Sequence, residues 1–392
     1  MSSMEQVLDI LPAARKAADD LRDLLLANAV MIGEIPAATG NEQRRVDFLL
    51  QRFAESGLSS CSSDERRNGA ALLPGSDGRR HILLATGADT GVPDDADQTV
   101  EVEPDRLVGP FVVDNSIALA VLATLPLLLE RLQLRLRSHV LFLAAARSLG
   151  RGNLDGLKYF LANARAPVHF GLCLESVQLG RLNHACLGML RGEIVCRLPD
   201  DYNWAQHGAT GSIIPMNDVI TRINRIPVPR RPFTSIVLGS IHGGISHQNI
   251  ARQTTLGFEV RSESADILHE IRQRMEDLVA EVGAQSGLRV DLDFFARREP
   301  GGLDIGHPLV RCGRAVLERL GVTPTTYRTT SGMSAMVDRG IPALTVGVTT
   351  GERLGRLDEF DEACAIGPMA AGLAQLVGIL LAMDGGHADG PA

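Results

Sequence analysis

Five short segments carry the residues of this chain that could do chemistry. LLATGADTGVP holds Asp89, VGPFVVDNSIALAVL holds Asp114, and LFLAAARSLGRG holds Arg147 and Ser148. GLCLES holds Glu175, and GERLGRLDEF holds Gly355, Asp358 and Glu359. Asp89, Asp114, Arg147, Ser148 and Glu175 fall at the ends of predicted strands or in the loops just after them, where open parallel sheets gather their ligands. A hydrolytic site built on two metal ions needs a carboxylate to bridge them, His and carboxylate ligands to complete each ion, and a free Glu as general base. The acids are present. None of the five segments contains a histidine, and no Glu-Glu dipeptide occurs anywhere in the chain.

The elements that must position these residues read as alternating strands and helices. HILLATGAD, HVLFLAAA and VHFGLCLES are short apolar runs, hence buried strands. DNSIALAVLATLPLLLERL and NLDGLKYFLANA read as the helices between and after them, with Asp114 near an N-cap. This alternation predicts a mostly parallel sheet covered by helices. Near Leu190 the pattern changes. EIVCRLPDD, TSIVLGSIHGG and TTLGFEVRSES read as half-exposed strands, accompanied by the helices PMNDVITRINRI and ADILHEIRQRMEDLVAEVGAQSG. After Pro300 the helix–strand alternation resumes. The reading is an α/β fold with an inserted α+β module. Its segments are a catalytic-like domain at 1–191 and 300–386, an inserted lid or dimerisation domain at 192–299, and a disordered tail at 387–392 within GGHADGPA.

Bulk properties narrow the class. The net charge of -8 argues against nucleic acid or an anionic membrane surface as partner. Six cysteines without a CxxC pair fit reduced thiols in a cytoplasmic protein. The stretch MSSMEQVLDILPAARKAADD has no basic n-region followed by an apolar h-region, so no signal peptide is expected. The apolar run from Ile117 to Leu129 contains Pro126 and is too short to span a bilayer, so it reads as a buried helix.

The arrangement as a whole resembles the di-zinc exopeptidase and amidohydrolase family of peptidase T, aminoacylase, carboxypeptidase G and succinyl-diaminopimelate desuccinylase. The resemblance runs from roughly Ile35 to Met383, and residues 199–263 are similar to the peptidase T branch. There DDYNWAQHGATGSII, VLGSIHGGISHQNIA and EVRSES follow the family's GGHSW…FG…A-I, V-G-x-I-x-GG-x-x-x-N-x-I-A and R-S-E runs. The resemblance implies a zinc-exopeptidase-like, mixed but mostly parallel sheet with an inserted lid and dimerisation domain.

Carried over residue by residue, the family's site is thinned. Its first metal-binding His falls on Gly87, and the Asp of the same HxD motif is Asp89. Its bridging Asp is Asp114. Its Glu-Glu pair, base then ligand, falls on Arg147 and Ser148. Its next carboxylate ligand is Glu175. Its last His ligand falls on Gly355, and the His lent by the partner subunit falls on Tyr202. Three of five metal ligands and the base are absent, so zinc is expected for the family and no cofactor for this chain. His184 and His247 are the least remote candidates for relocated ligands. Arg147 is expected to reach into the vacated metal space and pair with Asp114 or Glu175. The family's substrate-carboxylate grip matches Asn249 and Arg261, and its Gly-rich turn matches Ser331, Gly332, Met333 and Ser334.

These readings imply a peptidase-T-like pseudo-peptidase that binds a peptide-like or acyl-amino-acid ligand. Alternatives are metal-independent amide or acyl-transfer chemistry at Asp89, Asp114, Arg147, Ser148, Glu175 and Tyr202, or a zinc hydrolase with relocated ligands. A homodimer through residues 192–299, or pairing with an active paralogue, is expected.

Overall fold

The computed structural model describes residues 3–201, 211–354 and 361–390. It divides into two compact units, one from Met1–Ala185 with Gly302–Ala392, the other Cys186–Gly301.

The first unit is built on a seven-stranded sheet. The strands run in the order Ser59–Ser63, Gly69–Leu73, His139–Ala145, His81–Gly87, Phe170–Val177, Ala343–Thr349, Leu182–Asn183. The central four are parallel. They are buried on both faces, which is why HILLATG, HVLFLAA and ALTVGVT are continuous apolar runs rather than alternating ones. The two strands at one edge pair antiparallel and are less buried, and the sequence reading missed them. A second, smaller antiparallel sheet joins Gly351–Arg353, Asp361–Ala365, Arg106–Pro110 and Glu101–Val102.

Helix Ile117–Arg131 lies in the core, with twelve of its residues buried. The run Val112–Arg131 is long and apolar enough to cross a membrane by length and composition, yet 78% of its most apolar window is buried inside the protein. Helix Met369–Asp384 packs on Ala343–Thr349, and Gly372 permits the approach: a Cβ there would lie 2.0 Å from Val348 O. The expectation of a disordered tail is corrected for Gly385–Gly390. Ala388 is fully buried, Cys312 Sγ donates to His387 O at 3.4 Å, and Asp389 pairs with Arg80 at 2.6 Å. One buried methyl and a two-pronged ion pair hold this segment down.

The second unit is a four-stranded antiparallel sheet in the order Thr234–Gly243, Gln253–Ser262, Gly188–Arg197, Arg289–Arg298. Its own core joins Leu190, Ile194, Phe258 and Val260 from the strands to Met216, Ile271 and Met275 from helices Ile213–Ile223 and Ala265–Ser286. Most alternate residues of strands Gln253–Ser262 and Gly188–Arg197 on the other face are polar, among them Arg191, Glu193, Glu259 and Arg261, the pattern of an antiparallel sheet packed on one side.

Candidate functional site

Asp89 lies just beyond strand His81–Gly87, and the protein closes around it. It is 2% exposed. Thr39 Oγ1 donates to it at 2.8 Å, Ser148 N at 3.0 Å and Leu149 N at 2.8 Å. Burial pushes its carboxyl up and the Glu42 charge adds to this, while the three hydrogen bonds oppose. Arg45 lies beneath, buried among the carbonyls of Gly33, Ile35 and Ala88. Burial lowers its pKa to about 10, against the field of Asp89.

Positions 87 and 148 meet at the same point. A Cβ on Gly87 would stand 3.0 Å from Ser148 Oγ and 3.5 Å from Asp89 Oδ1. Ser148 Oγ donates to Ala145 O at 3.1 Å.

Three carboxylates form the second half of the site. Asp114 sits in the irregular turn Val112–Ser116, not at the cap of the helix that follows, whose N-cap is Ser116. Glu175 is near the carboxyl end of Phe170–Val177, opposite Gly347. Glu362, on Asp361–Ala365, is 5% exposed and accepts from Val113 N at 3.0 Å. The Asp114 carboxyl is pushed up by burial and then by Asp89, against the pull of Arg181 and Arg353. Glu175 and Glu362 are each pushed up to about 7, by burial first and then by the charge of Asp114. Two guanidinium groups answer these acids. Arg181 Nη1 is 3.6 Å from Glu175 and its guanidinium lies 5.3 Å from the centre of the Tyr327 ring. Arg353 Nη2 is 3.8 Å from Glu362.

The structure places Asp89 beside Ser148, couples Asp89, Asp114 and Glu175 electrostatically, and sets Arg181, Arg353, Glu42 and Glu362 around them. The expected role of Arg147 is corrected. Its backbone is left-handed, with φ 53°, and its N–H is held by Glu42 Oε1 at 2.9 Å. The side chain runs outward to Asp155, at 3.7 Å, and is 39% exposed. Arg181 holds the place beside Glu175 instead. Tyr202 and Gly355 lie outside the described residues.

The remaining candidates scatter. Asn249 donates to Ser246 Oγ at 2.7 Å and lines a concavity with His242, Gln248 and Arg252. Arg261 is ion-paired with Glu259 and lines another with Arg191. Nearly the whole strand Gln253–Ser262 separates them within the chain. Ser331 Oγ shares a hydrogen bond with Thr345 Oγ1 at 2.7 Å, and Gly332 lies against Cys173 and Leu157. His184 Nδ1 is bonded to Leu303 O at 2.7 Å, and His247 is exposed.

Among the described residues no three His, Cys, Asp or Glu side chains converge as metal donors. Asp89 spends both oxygens on hydrogen bonds and position 87 has no side chain to offer.

Residues 192–286 match the peptidase dimerisation domain. No curated protein matches the chain. Three solved structures illustrate the likeness of the whole chain. Aminopeptidase PepT from Bacillus cereus shares 16% identity over 92% of this chain and 98% of its own, with a TM-score of 0.69. A tripeptidase from Staphylococcus aureus shares 18% over 93% and 98%, with a TM-score of 0.72. The di-peptidase Dug1p from Saccharomyces cerevisiae shares 11% over 96% and 98%, with a TM-score of 0.77. The chain thus has the fold of the M20 family peptidases and carries their dimerisation domain.

Proposed function

We propose that this is a non-metallo pseudo-peptidase of the M20 fold, binding a peptide-like or acyl-amino-acid ligand. The observation that carries the reading is the meeting of Gly87, Ser148 and Asp89 at one point. Where the family places a histidine and a glutamate, this chain has a hydrogen atom and a hydroxyl. Arg181 and Arg353 supply positive charge beside Glu175 and Glu362. Two guanidinium groups compensate buried acids that would otherwise face each other unpaired.

A thermal-shift series with dipeptides and acyl-amino acids, with and without chelator, tests this. The reading requires stabilisation by at least one ligand class, unchanged by chelator, with no hydrolysis of the ligand. Zinc-dependent hydrolysis would sink it. Metal-independent amide or acyl-transfer chemistry has one supporting observation: Glu175 and Glu362 are poised near neutrality, where general acids and bases work best. Turnover in chelator would favour it.

We further propose a cytoplasmic homodimer formed through residues 192–299. Thr234–Gly243 is an edge strand, and Val237 and Ile241 are 46% and 55% exposed on it. An exposed apolar edge invites pairing with a second strand. Light scattering is expected to give a dimer for the native chain and a monomer for Ile241→Lys. A monomeric native chain would remove the proposal.

A further inference from the structure

The amino-terminal ends of the parallel strands carry three histidines that the candidate site does not use. His81 opens one strand, His139 opens its neighbour in register, and His169 precedes the strand on the other side. The rings of His81 and His139 are 5.0 Å apart and tilted by 54°, while those of His81 and His169 are 6.0 Å apart and nearly parallel, at 14°. Both outer rings act as acceptors. Gly75 N–H donates to His139 Nδ1 at 2.9 Å, and His81 N–H donates to His169 Nδ1 at 3.1 Å. A ring nitrogen that accepts carries no proton, so both outer rings are neutral Nε2–H tautomers.

The bonded backbone belongs to a turn that is also held by other backbone bonds, and Ser76 N donates to Leu136 O at 3.0 Å. Asp77 N and Gly78 N donate to Arg137 O at 3.2 and 3.1 Å, and His139 N donates to Arg80 O at 2.8 Å. Arg80 then anchors the C-terminal segment through Asp389. The segments that adjoin the trio carry Arg79, Arg80, Arg137, Asp77, Asp384 and Asp389. The acids are engaged by Arg80 and by the N–H groups of Arg79, Arg137 and Ser138. Inside the cluster, His81 Nδ1 is buried without a hydrogen-bond partner.

We propose that His81, His139 and His169 form an acid-released tie. Neutral, they hold the 74–80 turn and the strand starts together. Protonated, His139 and His169 present Nδ1–H to the N–H groups of Gly75 and His81, and three neighbouring imidazolium rings repel one another. The Gly75 end of the turn and the start of the His81 strand then lose these two bonds, while the bonds to Leu136 and Arg137 remain. The direction of the His81 shift agrees: burial first, then the neighbouring rings, hold it below the ordinary histidine range. A depressed pKa means the unfolded chain binds more protons. The contribution of His81 is therefore complete above about pH 6.5 and is lost as the pH falls below it.

Hydrogen exchange on the full chain between pH 7.5 and 5.5, corrected for intrinsic exchange rates, tests the tie. Protection at residues 75–81 is expected to fall about tenfold relative to strand Ala343–Thr349. The double variant His139→Asn, His169→Asn keeps an oxygen acceptor near each Nδ1 and cannot be protonated, so its protection is expected to stay level. Level protection in the native chain, or an equal fall in the variant, overturns the proposal. If the variant does not fold, imidazole nitrogen shifts of the native chain decide. Nε2–H tautomers of His139 and His169 that titrate together with the Gly75 and His81 amides support the tie, and Nδ1–H tautomers at pH 7.5 refute it.

Discussion

Arg181→Leu is expected to lower stability by about 1–3 kcal/mol at pH 8 and by much less at pH 5.5. Removing one partner of a fully buried pair costs more, but here the side chains of Arg181 and Glu175 are 17% and 26% exposed and 3.6 Å apart, which discounts the figure. The pH dependence follows from the carboxyl of Glu175, pushed up to about 7. At pH 8 it is ionised and faces Asp114, so losing Arg181 leaves two neighbouring acids less compensated. At pH 5.5 it holds a proton and needs little compensation. Denaturant unfolding at both pH values measures the difference. Adding Glu175→Gln to the variant is expected to recover most of the loss at pH 8. An equal loss at both pH values would mean that Arg181 acts by packing on Tyr327, not by its charge.

Glu362→Gln is expected to have the opposite sign, raising stability by about 1–3 kcal/mol at pH 8 with little change at pH 5. The carboxyl is pushed up to about 7 because burial and Asp114 penalise its charge. The folded chain therefore holds a proton that the unfolded chain has released. This contribution is present at low pH and is lost as the pH rises from the ordinary glutamate value, about 4.3, through 7. Glutamine keeps an acceptor for Val113 N and never ionises. Arg353 loses a partner, but its side chain is 55% exposed and solvated. Thermal unfolding across this pH range reads the effect. Destabilisation at pH 8 would show that the Glu362–Arg353 pair is net favourable.

The parts of this protein legible from its sequence are those with local causes. Apolar runs between helical stretches gave the parallel strands, because burial on both faces leaves no polar alternation. Asp89, Asp114 and Glu175 stood out because they end such runs. Arg181 did not. It sits in SVQLGRLNH, an ordinary polar stretch, and becomes a partner only when the fold lays it beside Glu175. Glu362 carried a weak signal, as the second of two acids opening the otherwise small and apolar DEACA. Arg147 misled because a left-handed backbone and the bond from its N–H to Glu42 turn its side chain outward. Neither follows from residue type. The strand Ser59–Ser63 was missed because SSCSS has no apolar periodicity and is held by its partner Gly69–Leu73.

The central claim is that arginine, not metal, balances the acids of this site. Its most direct test is the zinc content of the full chain after incubation with excess zinc and desalting, with unfolding followed in parallel with and without chelator. The account requires less than one retained zinc per chain and the same unfolding temperature in both conditions. One or two zinc ions held per chain, released by chelator with a fall in that temperature, would contradict it.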